Sequence, residues 1–140
     1  MISRISGAAI AAVLACSLAG AAQAAEHVVE MLNTDGEGKR MLFKPDFIFA
    51  DAGATVKFVL KQMPHNAESI PELWPEGAPT FKGKINEEIS YTIEKPGIYG
   101  IKCTPHYMMG MIAVIVAGDE LPNADQLESY APKAPETKKR

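Results

Sequence analysis

The stretch KCTPHYMMGM, Lys102 to Met111, carries a cysteine, a histidine three places later and three methionines. A thiol, an imidazole and thioethers are the softer donors that a protein can offer a metal ion. Taken singly, each is also ordinary packing material. The spacing leaves three chemistries open. A structural zinc site wants four Cys or His ligands, and only Cys103, His65, His106 and His27 could supply them. That reading gives the methionines no part. A Cys103–His106 nucleophile pair would want an orienting group and an oxyanion-stabilising motif, and neither is evident. Copper cycling between Cu(I) and Cu(II) uses all three donor types, because two imidazoles, a thiolate and a weak thioether form the blue copper donor set.

The copper reading needs a second histidine. His65 sits in MPHNAE, after a proline and just past an extended segment, whereas His27 lies near the start of the chain. Two loops at one end of a β-sandwich can meet, so His65 is the natural candidate to join Cys103, His106 and a methionine. Four protein ligands leave no open position for a substrate, so such a site is not an enzyme's.

The elements that must bring these residues together read as short strands and turns. HVVEML (27–32) alternates loosely, and NTDGEG (33–38) is a turn cluster. RMLFKPDFIFA (40–50) reads as two extended pieces divided at Pro45. TVKFVL (55–60) places Val56, Phe58 and Leu60 on one face. Residues 61–87 are rich in proline and glycine and read mostly as loop. EISYTI (88–93), IYGIKC (98–103) and the β-branched run MIAVIVAG (111–118) complete the set. About seven short strands between turn signals predict an all-β sandwich. PNADQLESY (122–130) predicts a short helix with Asn123 as its N-cap and Gln126 in its first turn. The remaining APKAPETKKR has no apolar period and reads as a mobile tail.

The first 24 residues read as a secretory signal peptide, with Arg4, an apolar stretch from Ile5 to Ala19 and a small-x-small site at Ala22-Gln23-Ala24. Cleavage before Cys16, as in a lipoprotein, is the competing possibility, but Leu14 is large for that site. The apolar stretch is too short for a good membrane span. The expected organisation is therefore a leader over 1–24, a domain over 25–121, and a short helix with a tail over 122–140. Of the two cysteines, Cys16 leaves with the leader, so Cys103 stands alone in an oxidising compartment, where coordination or burial would protect its thiol. The formal net charge of −3 becomes one unit more negative without Arg4, which argues against nucleic acid as a partner.

GIYGIKCTPHYMMGM (97–111) resembles the copper-loop segment of the pseudoazurins, small type 1 copper proteins of the cupredoxin family. HNAE (65–68) resembles their first ligand segment. MLN (31–33), FKGKIN (81–86) and KPGIYG (95–100) are similar as well. The resemblance covers roughly residues 25–121. It implies a cupredoxin-like Greek-key β-sandwich with a short C-terminal helix. It implies one copper ion held by His65, Cys103, His106 and Met111, Met111 fitting the family's Cys-x₂-His-x₄-Met spacing. Met109 would fit the shorter loop of the amicyanins and is the runner-up axial ligand. Asn66 would tie the two ligand loops together. The implied role is a periplasmic, monomeric electron carrier with no membrane span, passing electrons through the edge of His106. Met63, Pro64, Pro105, Tyr107, Met108 and Met109 would form an apolar docking ring, with lysines steering an acidic partner. Copper nitrite reductase or a cytochrome-type donor are the implied partners. A periplasmic copper-handling protein is the alternative.

Three features depart from the pseudoazurin pattern. That family usually ends in two helices, whereas only one short helix is expected here. Pro64 stands where a small residue is usual, and DAGA (51–54) lacks the familiar Pro-Gly-Asp turn.

Overall fold

A computed structural model describes residues 24–130. The expected leader over 1–24, except Ala24, and the expected tail over 131–140 lie outside the described residues. Among the described residues, eight strands form two four-stranded sheets. β1 (Glu26–Thr34), β2 (Arg40–Lys44), β4 (Thr55–Leu60) and β6 (Ile89–Thr92) make one, in the order β2-β1-β4-β6. β3 (Phe47–Ala50), β5 (Glu68–Ser69), β7 (Gly97–Lys102) and β8 (Ile112–Ala117) make the other, in the order β3-β8-β7-β5. β1 runs parallel to β4, and β3 parallel to β8, while the remaining pairs are antiparallel. The result is the expected cupredoxin-like Greek-key β-sandwich with one short helix, α1 (Ala124–Tyr130).

Alternation along the strands builds the core. Val29 and Met31 of β1, Val56 and Phe58 of β4, and Tyr99 and Ile101 of β7 point inward and are buried between the sheets. Trp74 packs edge-on against Tyr99, with ring centroids 4.7 Å apart, and fills the centre of the same cluster. β5 is the strand that the sequence hides, because its two residues lie inside the proline-rich segment, pairing with Lys102 and Ile101 of β7 and, through Glu68, with a lone bridge to Lys82.

β7 is buried on both faces. Every residue from Gly97 to Ile101 is buried. The outer face is covered by α1 and by a single 3₁₀ turn at Pro71–Leu73, which form a second cluster with Ile98, Ile112 and Tyr130. A Cβ at Gly100 would sit 2.9 Å from the Leu73 side chain, so the strand has a glycine where the turn crosses it.

Asn123 does precede α1, but its side chain does not cap it. Its Oδ1 accepts from the Ile98 N–H at 2.8 Å, and its Nδ2 donates to the Ile98 carbonyl at 2.8 Å and to Gln126 Oε1 at 2.9 Å. Gln126 Oε1 in turn accepts from the Trp74 N–H at 3.0 Å. These two amide side chains fasten the helix to β7 and to the turn after Leu73, satisfying backbone groups that the sheet leaves unpaired.

Candidate metal centre

Three donor atoms converge at one end of the sandwich. Cys103 Sγ lies 3.6 Å from His65 Nδ1 and 3.6 Å from His106 Nδ1, and the two Nδ1 atoms are 3.1 Å apart. The centre of such a triangle is roughly 2 Å from each corner, the length of a metal–nitrogen bond. The residues therefore fit a single ion bound through Nδ1, Nδ1 and Sγ. The other nitrogen of His65 fits the same arrangement. Nε2 is buried and has no hydrogen-bond partner, so it can carry the ring proton while Nδ1 turns its lone pair to the cation.

The loops that bring the donors together are short and tightly bonded. Cys103 follows β7, and its N–H donates to the Met111 carbonyl at 3.1 Å. The N–H groups of His106 and Met111 donate to the carbonyls of Cys103 and His106 respectively. A 3₁₀ turn at Tyr107–Met109 ends at Gly110, whose φ of 83° is left-handed and turns the chain back into β8. Met111 then lies fully buried, beside the buried Cys103, whereas Met109 is 49% exposed. The Tyr107 and Tyr130 hydroxyls are 2.7 Å apart, so the residue after His106 is anchored to α1.

Asn66 joins the two loops. Its Oδ1 accepts from the Thr104 N–H at 2.7 Å, and its Nδ2 donates to the Gly83 carbonyl at 3.0 Å and the Thr104 hydroxyl at 3.1 Å. The Thr104 hydroxyl donates to Glu68 at 2.6 Å. His65 is held from a third segment: its N–H donates to Asn86 Oδ1 at 3.2 Å, and the Asn86 N–H donates to its carbonyl at 2.7 Å. Gly83 lies close against Ala67, where a Cβ would fall 2.9 Å from the Ala67 oxygen. Reading the residue types alone missed Glu68, Thr104 and Asn86. Asn86 could have been suspected only as an asparagine in a left-handed turn, with φ of 65°.

The electrostatics favour a neutral imidazole and a protonated thiol until a cation arrives. Burial, followed by repulsion from His106, lowers the His65 pKa to about 4. Burial pushes the Cys103 thiol up, against the opposing pull of the Asn66 and His106 backbone N–H groups. A cation must therefore displace the thiol proton but finds the His65 nitrogen already free. In the metal-free protein, the unfolded chain takes up the His65 proton first as pH falls below about 6.5. Stability is then lost from about pH 6.5 down through about pH 4, by at most ~3 kcal/mol from this group. Urea unfolding of the metal-free protein at pH 7.5 and 4.5 should show the loss, and His65→Gln should show less of it.

The four-ligand zinc alternative is not assembled. His27 lies at the start of β1, whereas Asn33, near the strand's other end, donates to the Met63 carbonyl at 2.9 Å beside the site. Among the described residues, the cluster of metal-binding His, Cys, Asp and Glu side chains here contains His65, Cys103 and His106 alone.

Residues 29–118 match the family of copper-binding proteins described as the plastocyanin/azurin family. The chain is 48% identical to a pseudoazurin of Paracoccus pantotrophus over 118 residues, covering 84% of this chain and 79% of that one. It is 38% identical to a pseudoazurin of Methylorubrum extorquens over 125 residues, covering 89% and 82%. The fold superimposes on the crystal structure of native pseudoazurin from Hyphomicrobium denitrificans with a TM-score of 0.72 and 47% identity, covering 76% of this chain and 85% of that one. The convergent donors, the two-sheet fold and these likenesses agree: the chain belongs to the plastocyanin/azurin family of copper-binding proteins, in its pseudoazurin branch, and its cofactor is one copper ion.

Proposed function

We propose that this protein is a blue copper electron carrier of the periplasm, with His65, Cys103, His106 and Met111 as its ligands. The observation that carries the reading is the meeting of two imidazole nitrogens and a thiol within 4.8 Å of one another, with His65 and Cys103 buried. Copper bound there would take up and release single electrons. Cys103 supplies the thiolate, His65 and His106 the imidazoles, and Met111 the weak axial thioether. The hydrogen bonds of Asn66, Asn86 and Thr104 hold these side chains in place, so that little needs to move when the charge changes.

His106 is the one member of the donor triangle that is not buried, and it marks where electrons enter and leave. Around it lie exposed apolar residues, with Met63 at 62% and Met108 at 75% exposure, beside Pro64, Pro105 and Met109. An apolar surface of this kind suits brief docking. Lys102, poised over the Tyr107 ring at 5.3 Å, and the exposed Lys82 and Lys84 would steer an acidic redox partner. A copper nitrite reductase or a cytochrome-type donor fits that description. Export would follow from cleavage after Ala24, leaving the domain over 25–121 and the short helix and tail over 122–140. No helix among the described residues is long and apolar enough to cross a membrane. The protein works as a monomer in this reading.

The exposed Met63, Met108 and Met109 are also what a copper-handling protein would present. The axial ligand and the redox behaviour separate the two readings. The copper-loaded protein should titrate as a reversible one-electron couple. Met111→Leu should raise its potential by roughly 60–120 mV, a ten- to hundredfold shift toward Cu(I) at 59 mV per decade, because a donor that stabilises Cu(II) is lost. Met109→Leu should leave it nearly unchanged. An irreversible couple, with copper passing readily to a weak chelator, would favour copper handling instead.

A further inference from the structure

Cleavage after Ala24 would create a second metal-binding arrangement, at the opposite end of the sandwich. The new chain would begin Ala25-Glu26-His27. A histidine in third place puts four nitrogens within reach of one ion: the α-amine, the amide nitrogens of Glu26 and His27, and His27 Nδ1. Closing on an ion, they form two five-membered chelate rings and one six-membered ring in a single plane, the geometry that Cu(II) and Ni(II) prefer. We propose that the mature N-terminus, Ala25-Glu26-His27, is a second metal site that binds one Cu(II) or Ni(II) through four nitrogens; this rests on the cleavage reading above.

The surroundings suit a cation. Ala25 and His27 share one face of the extended chain and line one groove of about 250 Å³, together with the acidic Asp51 and Asp119. Ala25 and Glu26 are exposed, and His27 is half-buried. Only the start of β1 must yield. The Thr55 N–H donates to the Ala25 carbonyl at 3.0 Å, and Glu26 faces Thr55 in the first parallel pair. Chelation turns Ala25 and Glu26 out of the extended conformation and opens that pair, while the pairs from Val28 onward can remain. The α-ammonium proton and the two amide protons pass to solvent, and nothing is oxidised or reduced. The six residue steps from His27 to Asn33 span roughly 20 Å along β1, so this site is separate from the Cys103 centre. Its hard nitrogen donors and planar geometry favour Cu(II) over Cu(I), making it a cupric capture site rather than a second redox centre.

The test uses the exported protein, its first residue fixed by intact mass and its Cys103 centre already loaded with copper. Titration with Ni(II) alone at pH 7.5 should show one equivalent bound with release of protons. His27→Ala should weaken that binding roughly a hundredfold or more, and so should one added glycine before Ala25, which leaves His27 in place but moves it to fourth position. The blue colour should be the same in all three proteins. A first residue other than Ala25 overturns both the cleavage reading and the site. A chain that starts at Ala25 but takes up no Ni(II) overturns the site alone. Binding that survives the added glycine also overturns it, and assigns the ion to His27 with the neighbouring carboxylates.

Discussion

Cys103→Ser is expected to abolish the intense visible absorption of the Cu(II)-loaded protein and to slow electron exchange by orders of magnitude. Cys103 is fully buried, and its sulfur is the one atom 3.6 Å from both imidazole nitrogens. A serine hydroxyl in that place is a hard donor that keeps its proton far above the pH at which a thiol loses one. The covalent thiolate bond that gives blue copper its colour cannot form. Stability should separate into two parts. The metal-free variant should unfold within about 1–2 kcal/mol of the metal-free parent, because the new hydroxyl can hydrogen-bond the facing His65 nitrogen. The extra stability that bound copper adds to the parent should largely vanish, since a weakly held ion stabilises little. Absorption spectra and thermal unfolding, each with and without copper, measure both parts.

The second large effect is expected at Asn66, which touches no donor atom through its side chain. Asn66→Ala removes the acceptor for the Thr104 N–H and the donors to Gly83 and the Thr104 hydroxyl at one stroke. Asn66 is 2% exposed, so water does not easily replace what is lost. The cost to the metal-free fold should be about 2–4 kcal/mol. Because those bonds align the His65 loop with the Cys103 loop, copper affinity should also fall by roughly ten- to a hundredfold. Urea unfolding and competition with a copper chelator give the two numbers. A variant that loses stability but keeps full affinity would make Asn66 a fold residue only.

The site was more legible in the sequence than its supports. Cys103 and His106 are read from one loop because they are close in sequence, and the strand that follows announces itself as a β-branched run. His65 is far away in sequence, and only the sandwich reading brings it near. Asn86 and Glu68 carry no such signal. Their roles come from side chains meeting across loops, and neither periodicity nor composition records that. Asn123 shows the same limit from the other side. Its place before α1 matches an N-cap, yet tertiary packing offers it the Ile98 backbone, and the side chain bonds there instead. The cover of the outer face of β7, α1 and the turn at Pro71–Leu73, comes from segments distant in sequence, so no local pattern announces it.

If His65, Cys103, His106 and Met111 hold copper as a one-electron site, the binding of Cu(II) must be visible. The most direct measurement adds Cu(II) in steps to the metal-free protein and follows the visible absorption, then adds a reductant. The expected result is an intense blue thiolate-to-copper band that saturates at one equivalent and bleaches on uptake of one electron per copper. A protein that stays nearly colourless with Cu(II), or that binds Zn(II) as tightly while showing only weak absorption with copper, would contradict it.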